Sequence, residues 1–250
     1  MTGPREHAWQ HWRETASVEE YLRFGDEGMP GRREQLAVMI ESIPFDREAP
    51  IEVLDLGCGD GVLLDAVLEA FPNAAAAVAL DASPSMLERA SERLAARSDN
   101  VRFVCADMGT RDWLRELPSG SGFHVVVSGF AIHHLEDDRK RELFGEVFEI
   151  TSSPGVFVNI EHVRSASPRG EQLFERWYSA HLADRAEHAE GVTPAEAERA
   201  FRERPGKQAN RLTSVEDQLS WLRACGFEEV DCYWKYFELA VIVGYRCASS

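Results

Sequence analysis

The sequence predicts an α/β fold, a seven-stranded, mostly parallel sheet with helices on both faces. Three observations predict it. Apolar strand runs alternate with helical runs from about residue 50 onward. Three successive strands end in an aspartate: Asp55, Asp81 and Asp107. The first strand passes into its helix through Gly57, Gly59 and Gly61. Ligands of open parallel sheets bind at the carboxyl ends of the strands, so the three carboxylates are expected along one edge.

The elements follow in order. Residues 1–49 form a helical N-terminal cap, with Trp9, Trp12, Val18, Tyr21, Leu22 and Phe24 as covering apolar groups, a break at Gly28-Met29-Pro30-Gly31, and an amphipathic run over 32–43. Residues 50–250 form the main domain. Strand 51–56, helix 61–71, strand 75–81, helix 84–96, strands 101–105 and 123–129, helix 137–150 and strand 155–161 make the alternating core. Ser83 before Pro84, and Asp60 before the glycine of the first helix, read as N-terminal signals. A helical insertion at about 164–213 breaks the alternation. Its Leu173, Phe174, Trp177, Tyr178, His181 and Leu182 recur at helical spacing, a stripe suited to a lid over the crevice or to a helix covering the sheet. Ser214 to Asp217 opens a capped helix that Gly226 ends, and 228–237 and 239–247 close the fold as strands.

The glycine run carries the first chemistry. Glycines let the backbone turn tightly and approach a ligand, and Gly61 suits close packing of the helix on the strand. The spacing is G-x-G-x-G, with Asp55 two residues ahead of it. A carboxylate there repels a phosphate and attracts a cationic amino group, which points away from dinucleotides.

Leu54-Asp55-Leu56-Gly57-Cys58-Gly59-Asp60-Gly61, Leu80-Asp81-Ala82-Ser83-Pro84-Ser85-Met86-Leu87 and Cys105-Ala106-Asp107-Met108 resemble the first three motifs of the class I S-adenosylmethionine-dependent methyltransferases. The resemblance covers about residues 50–163. It implies a Rossmann-like sheet whose last strand runs antiparallel beside the fifth, and S-adenosylmethionine as cofactor, with S-adenosylhomocysteine as product. It assigns the methionine part to Asp55, Gly57, Cys58, Gly59 and Gly61, the ribose hydroxyls to Asp81 beside Ala82, and the adenine amino group to Asp107. Met86 and Met108 supply apolar surface near the adenine or belong to the core, and Ser128, in the fourth strand, completes the cofactor set. A carboxylate can accept two hydrogen bonds from a vicinal diol or one from an exocyclic amine. The 28–33 segment, the insertion and the ending from Gly226 to Trp234 are similar to a subgroup that acts on tRNA wobble uridine and includes a carboxy-S-adenosylmethionine synthase. The turn from Ile150 to Val156 departs from the family pattern, which puts turn geometry in question rather than activity.

Composition narrows the partner. The 250 residues carry a formal charge of −16, which opposes a polyanion, since nucleic-acid affinity rests on Lys and Arg displacing counterions. Arg199, Arg202, Arg204, Lys207 and Arg211 do cluster, but read as a solvated face. The Asn-Pro-Pro-aromatic motif of nucleobase amine methylation is replaced by Ser128-Gly129-Phe130-Ala131. Five cysteines without a C-x-x-C pair suggest free thiols, with Cys58 a small filler rather than a nucleophile. No apolar run spans a bilayer and Met1 to His7 lacks a signal core, so a cytoplasmic protein with a small-molecule substrate is expected. The oligomeric state stays open, a homodimer included.

Candidate bases sit at the ends of the fourth and fifth strands: His133 beside His134, and Glu161 beside His162. A near-neutral histidine can take a proton from an alcohol, phenol or amine as a methyl arrives; the other readings are packing or a cofactor shelf for His133 and His134, and a capped strand end for Glu161 and His162. No metal is expected, because adjacent histidines in an extended segment point to opposite sides. The expected activity is O- or N-methylation of a small molecule by in-line transfer; the alternatives are modification of the cofactor to its carboxylated form and a non-catalytic binding module.

Overall fold

A computed structural model describes residues 29–248, apart from 119, 121, 190–192, 194, 197, 198 and 200–208. The aromatic stretch of the expected N-terminal cap, Gly28, and Arg202, Arg204 and Lys207 lie outside the described residues. The strands are β1 (Glu52–Leu56), β2 (Ala76–Asp81), β3 (Val101–Cys105), β4 (Phe123–Gly129), β5 (Thr151–His162), β6 (Glu228–Tyr236) and β7 (Leu239–Arg246). They form one sheet in the order β3-β2-β1-β4-β5-β7-β6. β1 to β5 are parallel, while β7 runs antiparallel to both β5 and β6. This is the Rossmann-like arrangement, with its antiparallel strand beside the fifth. The order reverses between β1 and β4, and that switch point opens a crevice at the carboxyl ends of the strands.

The pleat explains how both faces are covered. Val53, Val125, Val127, Val156, Val158, Val241 and Val243 point to one side, where α1 (Arg32–Glu41), α2 (Val62–Ala70) and α3 (Pro84–Arg93) pack through Met39, Leu64, Val67, Leu87 and Ala90. Leu54, Leu56, Val126, Phe157 and Ile242 alternate to the other side, against α4 (Asp137–Ile150) and α6 (Val215–Cys225) through Leu143, Phe144, Val147 and Leu222. Apolar runs rather than strict alternation are what a sheet buried on both faces requires. β5 starts earlier than expected, at Thr151, because Thr151 already pairs with Phe123 before the register irregularity ahead of Val125.

The insertion contributes α5 (Pro168–Ala189). Phe174 and Leu182 are buried against Leu239, with Met29, Phe130, Trp177, Tyr178, Trp234 and Phe237 around them. Leu173 departs from the expected stripe and is exposed. The helix thus rests on the β6-β7 hairpin and touches the crevice through Phe130.

Two helix starts differ from the expectation. The N-cap of α2 is Gly61 itself, at φ 84, while Asp60 pairs with Arg93 at 2.8 Å. Ser83 is the N-cap of α3, but its hydroxyl pairs with Ser85 Oγ at 3.0 Å instead of a backbone N–H. The cap of α6 is formed as expected: Ser214 Oγ accepts from Asp217 N at 3.1 Å, and Gly226 ends the helix at φ 109.

Candidate active site

Gly57, Gly59, Asp81, Ala82, Met86, Asp107 and Met108 line one cleft of about 720 Å³ including its open mouth, with Gly129, Phe130, Ala131, His134 and Leu135 as the facing wall. Asp55, Cys58, Gly61 and Ser128 are not among its lining residues. Gly57, at φ 73, lies so close to Ala131 that a Cβ would fall 2.5 Å from the alanine methyl, so only glycine lets the two walls meet. Gly61 serves a different contact from the one expected. Its missing Cβ admits Ala90 and Leu94 of the α3 region at 3.2 and 3.3 Å, so it packs helix against helix.

Each strand-end aspartate is placed by its pleat and held by backbone donors. Asp55 alternates to the α2 side of β1, where Oδ2 accepts from Leu64 N at 3.1 Å. Oδ1 is buried without a partner. Burial, aided by the nearby Asp81 charge, pushes this carboxyl up to about 7. Asp81 accepts from Gly59 N at 2.9 Å and from Ser83 N at 2.8 Å, so it ties the glycine loop to the start of α3. Burial raises its pKa too. Each oxygen of Asp81 keeps a lone pair for a hydroxyl. Asp107 Oδ1 accepts from Gly109 N at 2.7 Å, which orients the carboxylate at the cleft's edge. Ser128 Oγ donates to Leu56 O at 2.7 Å and is fully buried, a link between β1 and β4. Burial drives the Cys58 thiol well above its ordinary pKa, the opposite of a nucleophile.

The candidate bases form a buried cluster beside this cleft. Phe130, at φ 51, breaks the end of β4, and Ile132–His134 follow as a 3-10 turn. The extended geometry expected for His133 and His134 is therefore absent; their rings lie side by side with centroids 4.0 Å apart. His134 takes the place on the cleft wall, while His133 turns toward Glu161, Nδ1 to Oε1 at 2.6 Å. Glu161 Oε1 also accepts from His162 N at 2.8 Å, and Oε2 is buried without a partner. Burial pushes Glu161 up to about 7, against the pull of that N–H, of Lys140 and of His162. His162 Nε2 lies 3.0 Å from Glu238 Oε2, and its ring meets Phe174 of α5 at 5.4 Å. Lys140, 1% exposed, bonds to Thr213 Oγ1 at 2.7 Å and to the Arg211 carbonyl; Arg211 N in turn donates to His133 O at 2.7 Å. The chain leaving the insertion is thereby tied to the turn that carries the histidines.

Sequence reasoning did not point to Phe130, Lys140 or Glu238. The break after Ser128-Gly129 was the one local signal for Phe130, whereas Lys140 and Glu238 reach the cluster only through tertiary contacts. Among the described residues no group of three or more His, Cys, Asp or Glu is placed to hold a metal. Among them, too, no helix is long and apolar enough to cross a membrane.

The donor set fits S-adenosylmethionine: an orphaned buried carboxylate oxygen behind a glycine loop for a cationic amino acid, a second acid for a diol, and an apolar wall with a third acid for a base. Comparisons with known proteins agree. A family model described as a methyltransferase domain matches residues 53–155. Carboxy-S-adenosyl-L-methionine synthase of Helicobacter hepaticus is 20% identical over 226 residues, 87% of each chain. An uncharacterized methyltransferase of Mycobacterium tuberculosis is 31% identical over 133 residues, 53% of this chain and 61% of that one. Human N-acetylserotonin methyltransferase, solved in complex with S-adenosylmethionine, superposes with a TM-score of 0.62 at 14% identity, covering 99% of this chain and 61% of that one. With motifs, strand order and matched residues in accord, residues 53–155 match a methyltransferase domain, and the chain is similar in fold and motifs to the class I S-adenosylmethionine-dependent methyltransferases.

Proposed function

We propose that this protein transfers a methyl group from S-adenosylmethionine to an ionisable oxygen or nitrogen of a small-molecule acceptor, and that the His133-Glu161 pair takes the acceptor's proton. The observation that supports it most is that pair, buried at 2.6 Å where β4 and β5 end beside the cleft. When bound, S-adenosylmethionine supplies a methyl already activated on a sulfonium. The protein's task is alignment and, for an O–H or N–H acceptor, proton removal.

Asp55 and the Gly57–Gly61 loop hold the amino acid end, Asp81 the ribose and Asp107 with Met108 the adenine. On the acceptor side, the His133-Glu161 pair receives the proton, with His133 Nδ1 facing Glu161, whose ionised form stabilises the imidazolium. Helix α5, with Phe174 over His162, covers this side and excludes water, a lid in function. The acidic charge of −16 favours a small-molecule acceptor over a nucleic acid.

A screen of phenols, carboxylic acids and amines with S-adenosylmethionine, read by mass spectrometry for S-adenosylhomocysteine and methylated product, tests the reading. Turnover lost in Glu161→Gln at unchanged cofactor affinity supports it; full turnover in that variant removes the proton acceptor from it. A second reading, synthesis of a carboxylated cofactor, draws on the 20% identity to the Helicobacter synthase across 87% of both chains. Co-purification of the carboxylated compound, by mass, would favour it.

A further inference from the structure

The segment that follows β3 carries Asp107 and Met108, both on the cleft wall. Its last tie to the sheet is Ala106 N, which donates to Asp81 O at 3.0 Å. Beyond that point side chains from α4 anchor it, and apart from the exposed Arg111 pairs with Glu149 and Glu146 the hold is buried. Arg139 Nε donates to the Met108 carbonyl at 2.9 Å, and its two terminal nitrogens grip Glu146 as a fork at 2.7 and 2.6 Å. The Arg139 side chain is 12% exposed and that of Glu146 2%. Trp113, fully buried in the 3-10 turn Arg111–Glu116, donates to the same carboxylate at 2.7 Å. One carboxylate therefore holds the segment twice, through Arg139 at Met108 and through the indole at Trp113.

This is not the pattern of a helix-surface ion pair. A surface pair leaves both partners in water and touches no backbone, whereas here a planar, desolvated fork is aimed so that its remaining N–H meets a cleft residue's carbonyl. The Met108 methyl in turn lies 3.1 Å from the point where a Gly57 Cβ would stand, so the position of Met108 sets the gap between the cleft's walls. We propose that Arg139 is a positioning residue for the cofactor: it fixes the Asp107-Met108 wall at the distance from which that wall reads the adenine ring, with Glu146 and Trp113 as its supports. The inference rests on S-adenosylmethionine lying in this cleft.

The test compares S-adenosylhomocysteine with its inosine counterpart, in which the ring amino group is an oxo group, by calorimetry on the wild type, Arg139→Lys and Trp113→Phe. Lysine keeps the charge but has no fork, so it cannot hold Glu146 and the Met108 carbonyl together. The wild type should prefer the adenosine form, and Arg139→Lys should lower that preference about tenfold, the scale of one hydrogen bond to the ring. Affinity for the inosine form should change little, because the contacts to ribose and amino acid remain. Trp113→Phe should shift the preference in the same direction by less, and serves if Arg139→Lys does not fold. An unchanged preference in folded variants, or a parallel weakening of both ligands, overturns the proposal, whatever happens to the melting temperature. A wild type that binds neither compound overturns the cofactor reading itself, and a wild type that binds both equally overturns adenine reading by this wall.

Discussion

The cofactor half and the acceptor half of the cleft each bury a carboxylate that the interior pushes up to about 7, and they compensate it differently. Asp55 leans on one backbone N–H nine residues ahead of it and leaves Oδ1 without a partner. Glu161 accepts from its neighbour's N–H and meets His133 from 28 positions back, while His162 finds Glu238 from 76 positions ahead. A fixed carboxylate with an open oxygen is suited to a permanent cation, whereas one shared with a histidine is suited to a proton that comes and goes. In the proposed function, this difference makes one half the one that holds charge and the other the one that moves it.

The largest effect belongs to the half that holds. Asp81→Ala removes a carboxylate that accepts from Gly59 N and Ser83 N and, in the proposed function, binds the ribose, so S-adenosylmethionine affinity should fall at least about a hundredfold, since hydrogen bonds to charged groups contribute roughly 1.5–3 kcal/mol each. Calorimetry with a parallel melting curve separates this from unfolding; an unchanged dissociation constant would refute the ribose assignment. Next comes the half that moves charge. Glu161→Gln should lower kcat about a hundredfold at unchanged cofactor affinity, the usual scale of general base catalysis. In the wild type kcat/KM for the acceptor should rise with pH through about 7, as Glu161 ionises beside His133. If the variant keeps that rising limb, the limb belongs to another group.

The same contrast explains what could be read in advance. The cofactor half is short-range: a strand, three glycines, an acid at each of three strand ends, all within one run from Asp55 to Met108. Its partners are backbone groups two to 22 residues away, within or just past that same run, so the motif pattern suffices to place them. The acceptor half is assembled from afar. Glu161 was legible as a strand-end acid, but its pairing with His133 depends on Phe130 leaving β4 at φ 51, which turns an expected extended His-His segment into a 3-10 turn and puts His134 on the cleft wall. Lys140, Glu238 and the Arg139-Glu146-Trp113 link carry no local signal, because their reason for being there is a contact across the fold. Even within short range, Asp60 and Ser83 read as caps from residue type, while the loop's own hydrogen bonds and ion pairs claimed their side chains.

A smaller effect sharpens the first term of the comparison. In the free protein Asp55 is neutral below about 7, and a cationic amino group favours its ionised form, so binding releases a proton below that pH. Affinity for S-adenosylmethionine should therefore rise about tenfold between about pH 6 and about pH 8, and Asp55→Asn should flatten that slope. The sign for stability is opposite. A carboxyl whose folded pKa is raised stabilises fully below its ordinary value, and that contribution is lost as pH rises to about 7, so the ligand-free protein should lose stability across this window. A slope that survives in Asp55→Asn would assign the proton to another site.

The smallest effect tests whether the acceptor half is one connected unit. Glu238 touches His162, not His133, yet the two imidazoles stand 5.8 Å apart, and His162 N reaches the same Glu161 oxygen that His133 does. Glu238→Gln removes a negative charge while keeping shape and one acceptor. Less negative surroundings favour the ionised form of Glu161, so the midpoint of the rising pH limb should move down by about half a unit, with kcat at its plateau changed less than about threefold. A packing role for Glu238 would alter the melting temperature and leave that midpoint where it was. The midpoint therefore distinguishes a charge-moving cluster from a buried hydrogen bond that only holds the β6-β7 hairpin against β5.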